Sequence, residues 1–311
     1  MGINVALVGF GAAGRAHARA LRSCAGVRVR GVWDRDPEVA TEGLPRFPHG
    51  QAVLDDPDIH LVSLCLPPGE QIAMAVPALE RGKAVLVEEP PTSSVGEFDE
   101  LVALSRRYAA PLGVMLQHRM ALPKDAYELA WNRSATAVLE VSGFRPTRQH
   151  SRPARTAREL YGLHFFDLAC QLLGDPATVH SVARRRAGAH GEMRVTGVVE
   201  FDSGIPLSFT FTSEAATQFV RLEILGPDAR LLLADGTVSV ECRDGRDKLT
   251  SPTEADLIRA VYEDMAQVLR GESAAPVLCG LDRSRGGLLI QGVLDSAPCA
   301  PAVLHTSLAG I

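Results

Sequence analysis

Helical spacing and strand-like alternation take turns along the chain. In the first third, short β-branched runs at 4–8, 27–33, 61–64, 84–87 and 112–116 are separated by helical patterns at 13–23, 71–81 and 95–108. In the last of these helices Phe98, Leu101, Val102 and Leu104 recur at helical spacing. Such regular alternation predicts a parallel sheet covered by helices on both faces, a doubly wound nucleotide-binding fold. After about Met120 the pattern changes to one further helix pair. Strand patterns follow at 134–144, 179–186, 193–201, 206–212, 220–225, 229–233 and 237–242. Turn signals such as Asp202-Ser203-Gly204 and Ala234-Asp235-Gly236 separate several of them, as in an antiparallel sheet. Leu207-Ser208-Phe209-Thr210-Phe211-Thr212 alternates cleanly, giving one apolar and one polar face. Two late helices, 254–270 and 281–296, precede a Pro-rich tail.

Composition narrows the class. A chain of 311 residues supports about two domains. Its 32 basic and 37 acidic residues leave a net charge of −5 with no long like-charge run, which argues against a nucleic-acid partner. The compact Arg184-Arg185-Arg186 cluster reads as a solvated strand end. No stretch approaches the ~18 apolar residues of a membrane span. The first residues lack a basic n-region and read as a strand rather than a secretory signal. Six cysteines without C-x-x-C spacing suggest neither a disulfide framework nor a zinc site, so a reducing cytoplasm is the expected location. The histidines show no metal-ligand spacing, and no metal is expected.

The most informative local motif is Gly9-Phe10-Gly11-Ala12-Ala13-Gly14, a G-x-G-x-x-G turn between a strand and a helix. The first glycine permits the tight turn, the second lets backbone approach a pyrophosphate, and the third lets helix and strand pack closely. The helix start, with Ala12 and Ala13, offers unpaired N–H groups to the anion. Asp34 lies twenty residues beyond Gly14, at the end of the second strand, where it can accept hydrogen bonds from the adenosine ribose hydroxyls. That favours NAD(H). Arg35 can stack on adenine or pair with a 2′-phosphate, which keeps NADP(H) open. The fold expected is therefore α/β: a Rossmann domain over 1–119, then a substrate and oligomerisation domain over 120–311, α+β with an open, mostly antiparallel sheet.

From this turn onward the sequence resembles the glucose-fructose oxidoreductase, inositol dehydrogenase and rhizopine-catabolism family, written Gfo/Idh/MocA. Besides the turn, the resemblance rests on Asp34-Arg35-Asp36-Pro37, Leu66-Pro67-Pro68, the run 78–90 ending Val87-Glu88-Glu89-Pro90, His118-Arg119 and Gly162-Leu163-His164-Phe165-Phe166-Asp167. It implies a dinucleotide held by the glycine turn, Asp34 and Arg35 together with Leu66, Pro67, Gln71 and Glu88. It also implies a small-molecule substrate facing the C-terminal sheet, with His164 active. Pro67-Pro68 and Pro90-Pro91 shape loops at strand ends, and either first bond can be cis. Arg119 reads as a structural arginine anchoring the domain junction.

Departures from the family pattern carry as much information. The resemblance implies a catalytic lysine where this chain has Glu89, an aspartate where it has Leu160, a histidine where it has Gln71, and a threonine where it has Leu66. Oxidising an alcohol or reducing a ketone develops negative charge on oxygen, which a lysine stabilises and a carboxylate opposes. At ~4 Å and an effective dielectric of ~20 the interaction is ~4 kcal/mol, so exchanging attraction for repulsion blocks the ordinary mechanism. Three routes remain. Glu89 can be protonated through burial or the neighbouring Glu88 and serve as a general acid. His164, oriented by Asp167, or Tyr161 can donate the proton instead. Or the substrate can be a cation such as an iminium, which Glu89 would stabilise. The last two need no large pKa displacement and are favoured, and the family includes imine and tetrapyrrole reductases without the lysine. The expectation is thus an NAD(P)(H)-dependent oxidoreductase, a reductase in a specialised pathway, assembled as a homodimer or homotetramer. The alternatives are a non-catalytic NAD(P)-binding sensor or partner subunit, and an enzyme holding NAD for non-redox net chemistry.

Overall fold

The computed structural model describes residues 2–143, 156–185, 192–213, 215–281, 283–296 and 303–307. Phe144, at the end of one expected strand, and the side chains of the Arg184-Arg185-Arg186 cluster lie outside the described residues. The chain divides into two units, Met1–Met120 with Thr253–Asp282, and Ala121–Pro252 with Arg283–Ile311. A single cut after residue 119 therefore needs correction, because the chain comes back to the first unit.

In the first unit β1 (Ile3–Val8), β2 (Val27–Trp33), β3 (Leu61–Leu64), β4 (Ala84–Val87) and β5 (Leu112–Val114) form a parallel sheet in the order β2-β1-β3-β4-β5. Every residue of β1, β3 and β4 is buried, as a sheet covered on both faces requires. The helices are α1 (Ala12–Leu21), α2 (Gly50–Asp55), α3 (Pro68–Glu80) and α4 (Val95–Tyr108). Between β1 and β3 the strand order reverses, and the crevice beyond their carboxyl ends is where doubly wound sheets hold ligands.

The returning segment carries α6 (Glu254–Leu269). Its stripe Ile258, Val261, Tyr262, Met265 and Ala266 follows helical spacing and shares one apolar core with Ala18, Leu21 and Val27. Periodicity marks such a stripe without naming the surface it covers. Asp264 on the same helix is 8% exposed and accepts from the backbone N–H groups of Val277, Leu278 and Cys279 at 3.1, 3.0 and 2.9 Å. Arg119, also buried, donates to the carbonyls of Leu278 and Gly280 at 3.0 and 2.8 Å. These bonds of Arg119 lie within the first unit, where it pins the 278–280 segment.

The second unit holds nine strands in the order β13-β12-β11-β10-β6-β9-β8-β7-β14. In chain order they are β6 (Thr136–Ser142), β7 (Pro176–Arg185), β8 (Glu192–Phe201), β9 (Pro206–Thr212), β10 (Phe219–Leu225), β11 (Ala229–Ala234), β12 (Thr237–Cys242), β13 (Lys248–Thr250) and β14 (Val303–Ser307). Only β6 and β9 pair in parallel. Instead of a helix pair after Met120 there are two 3-10 turns, Gln117–Ala121 and Lys124–Glu128, and α5 (Ala157–Leu173) follows the first strand of the sheet. Thr156 and Glu159 close a capping box at its start. The helix lies on the apolar face of β9, with Phe166 at ring-centroid distances of 5.3 Å from Phe209 and 5.6 Å from Phe211. Alongside runs α7 (Ser284–Asp295), close enough that a Cβ on Gly287 would stand 3.1 Å from the backbone nitrogen of Asp167. The other face of the sheet presents Ser208, Thr210 and Thr196.

Replacing Asp264 by alanine leaves three backbone N–H groups without their acceptor. We expect a loss of about 2–4 kcal/mol in urea unfolding of the first unit, and a change below ~1 kcal/mol would contradict this role.

Candidate functional site

The glycine turn has the shape its sequence implies. Gly9 has φ +89°, and a Cβ there would stand 2.5 Å from the Cys65 carbonyl oxygen. A Cβ on Gly14 would stand 2.2 Å from the Gly9 carbonyl oxygen, so the third glycine is needed for close packing. Gly11 by contrast faces open space, and as N-cap of α1 it supplies no side-chain acceptor. The first-turn N–H groups of α1, including those of Ala12 and Ala13, therefore lack a side-chain cap beside a cradle that a dinucleotide pyrophosphate fits. Phe10 contributes backbone only, since its ring is fully buried. Leu66 lines the turn, with Cδ2 2.9 Å from a Cβ built on Gly9, and Pro67 caps α3. Asp34 Oδ2 accepts from the Phe10 N–H at 2.6 Å and Oδ1 from that of Asp36 at 2.9 Å, which fixes the carboxylate beside the turn.

Beyond β4 the segment carrying Glu88 and Glu89 is held from beneath. Gln71 is fully buried: its Nε2 donates to the carbonyls of Glu88 and Pro90 at 2.9 and 3.0 Å, and its Oε1 accepts from Glu88 N–H at 2.7 Å. Expected as a cofactor contact, Gln71 instead spends its amide on the backbone that leads to Glu89. The Glu89–Pro90 bond is cis. Glu88 pairs with His17 of α1, Oε1 to Nε2, at 2.7 Å.

His17 is 2% exposed and joins four elements. Its Nδ1 lies 2.8 Å from the Tyr262 hydroxyl, and 3.4 Å from both Ser63 Oγ and Cys65 Sγ, while Ser63 and Tyr262 hydroxyls are 2.7 Å apart. Burial works against a charged imidazole here, but Cys65, Tyr262 and the Glu88 hydrogen bond outweigh it and hold the His17 pKa well above 6.5. Burial pushes the Tyr262 phenol up to about 12, against the lowering effect of His17 and of the Ser63 hydrogen bond. Among the described residues His17, Cys65 and Glu88 are the one group of metal-ligating types in mutual reach. However, the ring separates them, Glu88 on Nε2 and Cys65 on Nδ1, which is the geometry of a hydrogen-bonded chain. Sequence reasoning passed over this histidine. The available signal is its place on the inward stripe Gly14, His17, Ala18, Leu21, where an ionisable residue needs a buried partner.

No lysine of the first unit stands near Glu89. The chain has lysines only at 83, 124 and 248. Lys83 precedes β4 at its opposite end and donates to the carbonyls of Asp56 and Ile59 at 2.7 and 3.1 Å. His118 is held down to about 4 by burial and is neutral at physiological pH.

In the second unit α5 brings three expected residues together. His164 (6% exposed) and Asp167 (0%) lie one turn apart, and Tyr161 stacks on Phe165 at a ring-centroid distance of 6.3 Å.

A group whose folded-state pKa is raised contributes stability that is complete below its unfolded value and is lost as pH rises through the folded value. The stability difference between wild type and His17→Gln should therefore be largest below about pH 6.5 and shrink on the alkaline side. Denaturant unfolding at several pH values reads it, and a difference independent of pH would contradict a charged His17.

Comparison with known proteins agrees with this construction. Residues 3–116 match the family model for the oxidoreductase family's NAD-binding Rossmann fold, and residues 135–232 match the Gfo/Idh/MocA C-terminal domain. A levoglucosan dehydrogenase of Pseudarthrobacter phenanthrenivorans is 32% identical over 102 residues, 28% of this chain and 26% of the relative. The match thus spans about a quarter of that protein. A levoglucosan dehydrogenase solved with NADH has a TM-score of 0.80 at 18% identity, covering 94% of this chain and 95% of the other. UDP-N-acetylglucosamine 3-dehydrogenase from Acidithiobacillus ferrooxidans has a TM-score of 0.79 at 21% identity, covering 93% and 95%. An oxidoreductase from Agrobacterium radiobacter, in complex with NAD+, L-tartaric acid and magnesium, has a TM-score of 0.76 at 17% identity, covering 95% and 96%. No helix among the described residues is long and apolar enough to cross a membrane. With the glycine turn, the doubly wound sheet and the open C-terminal sheet all in place, the chain belongs to the Gfo/Idh/MocA family of NAD-binding oxidoreductases.

Proposed function

We propose that the chain is an NAD(H)-dependent reductase. It would move hydride between the nicotinamide and a carbon bound to nitrogen or oxygen in a small polar molecule. The observation that carries this reading is a carboxylate, Glu89, at the carboxyl end of β4, with Lys83, the unit's single lysine, at the other end of that strand. When bound, the nicotinamide ring supplies or accepts hydride at C4. The glycine turn and Asp34 would hold the dinucleotide, and Gln71 and His17 would hold the Glu88–Glu89 backbone and the Glu88 carboxylate.

A developing alkoxide would meet repulsion at Glu89, whereas an iminium carries its positive charge already and is stabilised by the same carboxylate. For a carbonyl substrate the proton must come from elsewhere. His164 supplies it, with Asp167 orienting the imidazole, and Tyr161 is the second donor on that helix. The loss of the lysine also favours a second reading, a dinucleotide-binding sensor without turnover. A homodimer or homotetramer formed through the open face of the nine-stranded sheet is part of this proposal, supported by an exposed face on which Thr196 and Thr210 stand opposite each other.

Turnover of NADH against panels of cyclic imines, ketones and sugars tests the reading. His164→Ala should lower kcat by about 10²–10⁴ on a carbonyl substrate. Glu89→Gln should raise KM for an iminium about tenfold or more, while for a neutral ketone it should leave KM nearly unchanged and raise kcat, because the repulsion on the developing alkoxide is removed. Unchanged turnover in His164→Ala would refute the donor role, and NADH binding without oxidation across the panel would favour the sensor.

A further inference from the structure

Asp34 is immobilised by the Phe10 and Asp36 N–H groups at the end of β2, which leaves the next side chain, Arg35, to meet whatever extends from the adenosine ribose. Arg35 reaches across the crevice mouth to Glu70. One guanidinium nitrogen, Nη1, lies 3.0 Å from Oε1 and 3.1 Å from Oε2 of that carboxylate. Glu70 is the third residue of α3, where the helix N-terminus favours a negative charge. Because β1 lies between β2 and β3, a bridge from the second residue after β2 to the start of the helix after β3 spans the carboxyl end of β1 and its glycine turn. The other guanidinium at this strand end, Arg46, donates to the carbonyls of Val39 and, at 3.5 Å, Asp36.

A dinucleotide with its pyrophosphate at α1 and its ribose at Asp34 would bring its 2′ position next to Arg35. A ribose hydroxyl there needs only the Asp34 carboxylate. A 2′-phosphate would place about two negative charges beside Asp34 and Glu70, and the adjacent Arg35 is already shared with Glu70. We infer that Glu70 is a specificity-determining residue: by occupying Arg35 it withholds the guanidinium from a 2′-phosphate and selects NAD(H) over NADP(H). The inference rests on the dinucleotide reading of the preceding section. Arg35 and Glu70 side chains are 71% and 42% exposed, so solvent screens the pair and its effect is modest rather than absolute.

Fluorescence titration of the purified full chain with NADH and NADPH tests it without any substrate. In Glu70→Gln the ratio of the NADPH Kd to the NADH Kd should fall about tenfold at low salt. The change should diminish as ionic strength rises. In the double variant Arg35→Ala/Glu70→Gln the gain should vanish, since the freed guanidinium is its source. An unchanged ratio in Glu70→Gln, or a gain that persists in the double variant, would overturn the role of Glu70 while leaving the dinucleotide reading intact. Failure of the wild type to bind either nucleotide would overturn both. NADH binding by each variant verifies that its turn is folded.

Discussion

A buried imidazole holds the working end of the first unit together. His17 belongs to the helix whose N-terminus forms the anion cradle, and it is tied to the Glu88 carboxylate, to Tyr262 of the returning helix and to Ser63 and Cys65 around the end of β3. Removing such a group from water is costly unless its polar atoms are matched, and here both ring nitrogens have partners. Once His17 is fixed, the positions of α1, the end of β3 and the segment after β4 are mutually constrained. The crevice at the strand-order reversal is then built by elements that share one hydrogen-bonded centre.

That constraint gives meaning to the pair of adjacent acids. Glu88 points its charge to His17 and its backbone to Gln71, so it belongs to the scaffold. Glu89 follows immediately, at the position where the family resemblance implies a lysine. A carboxylate sets the sign of the charge offered from this strand end, and the proposed chemistry follows from it: a substrate that brings its own positive charge.

Much of the fold was legible in the chain because its signals are local. The five parallel strands and α4 follow from β-branched runs and helical spacing, and the alternation of 206–212 announces a half-covered strand. Elements built from few residues were not legible: α2 has six residues and β13 three, too short for a period to register, and β14 lies in a Pro-rich tail. Non-local partnership was also invisible. The stripe of α6 is plain in sequence, yet nothing in it says that it returns to α1. The glycine turn and Asp34 could be located because a motif fixes their spacing, whereas His17–Glu88 and Arg35–Glu70 join residues far apart in sequence. Gln71 shows the limit of carrying a site over by position, since its buried amide serves the backbone rather than the crevice.

Hydride transfer by this chain, proposed with Glu89 at the end of β4, is read most directly by isotope transfer. The protein would be mixed with NADH deuterated at nicotinamide C4 and a set of cyclic iminium and carbonyl compounds, and the products read by mass spectrometry. Deuterium should appear on the product carbon, most readily from the iminium set. Bound nucleotide with no deuterium in any product would contradict hydride transfer.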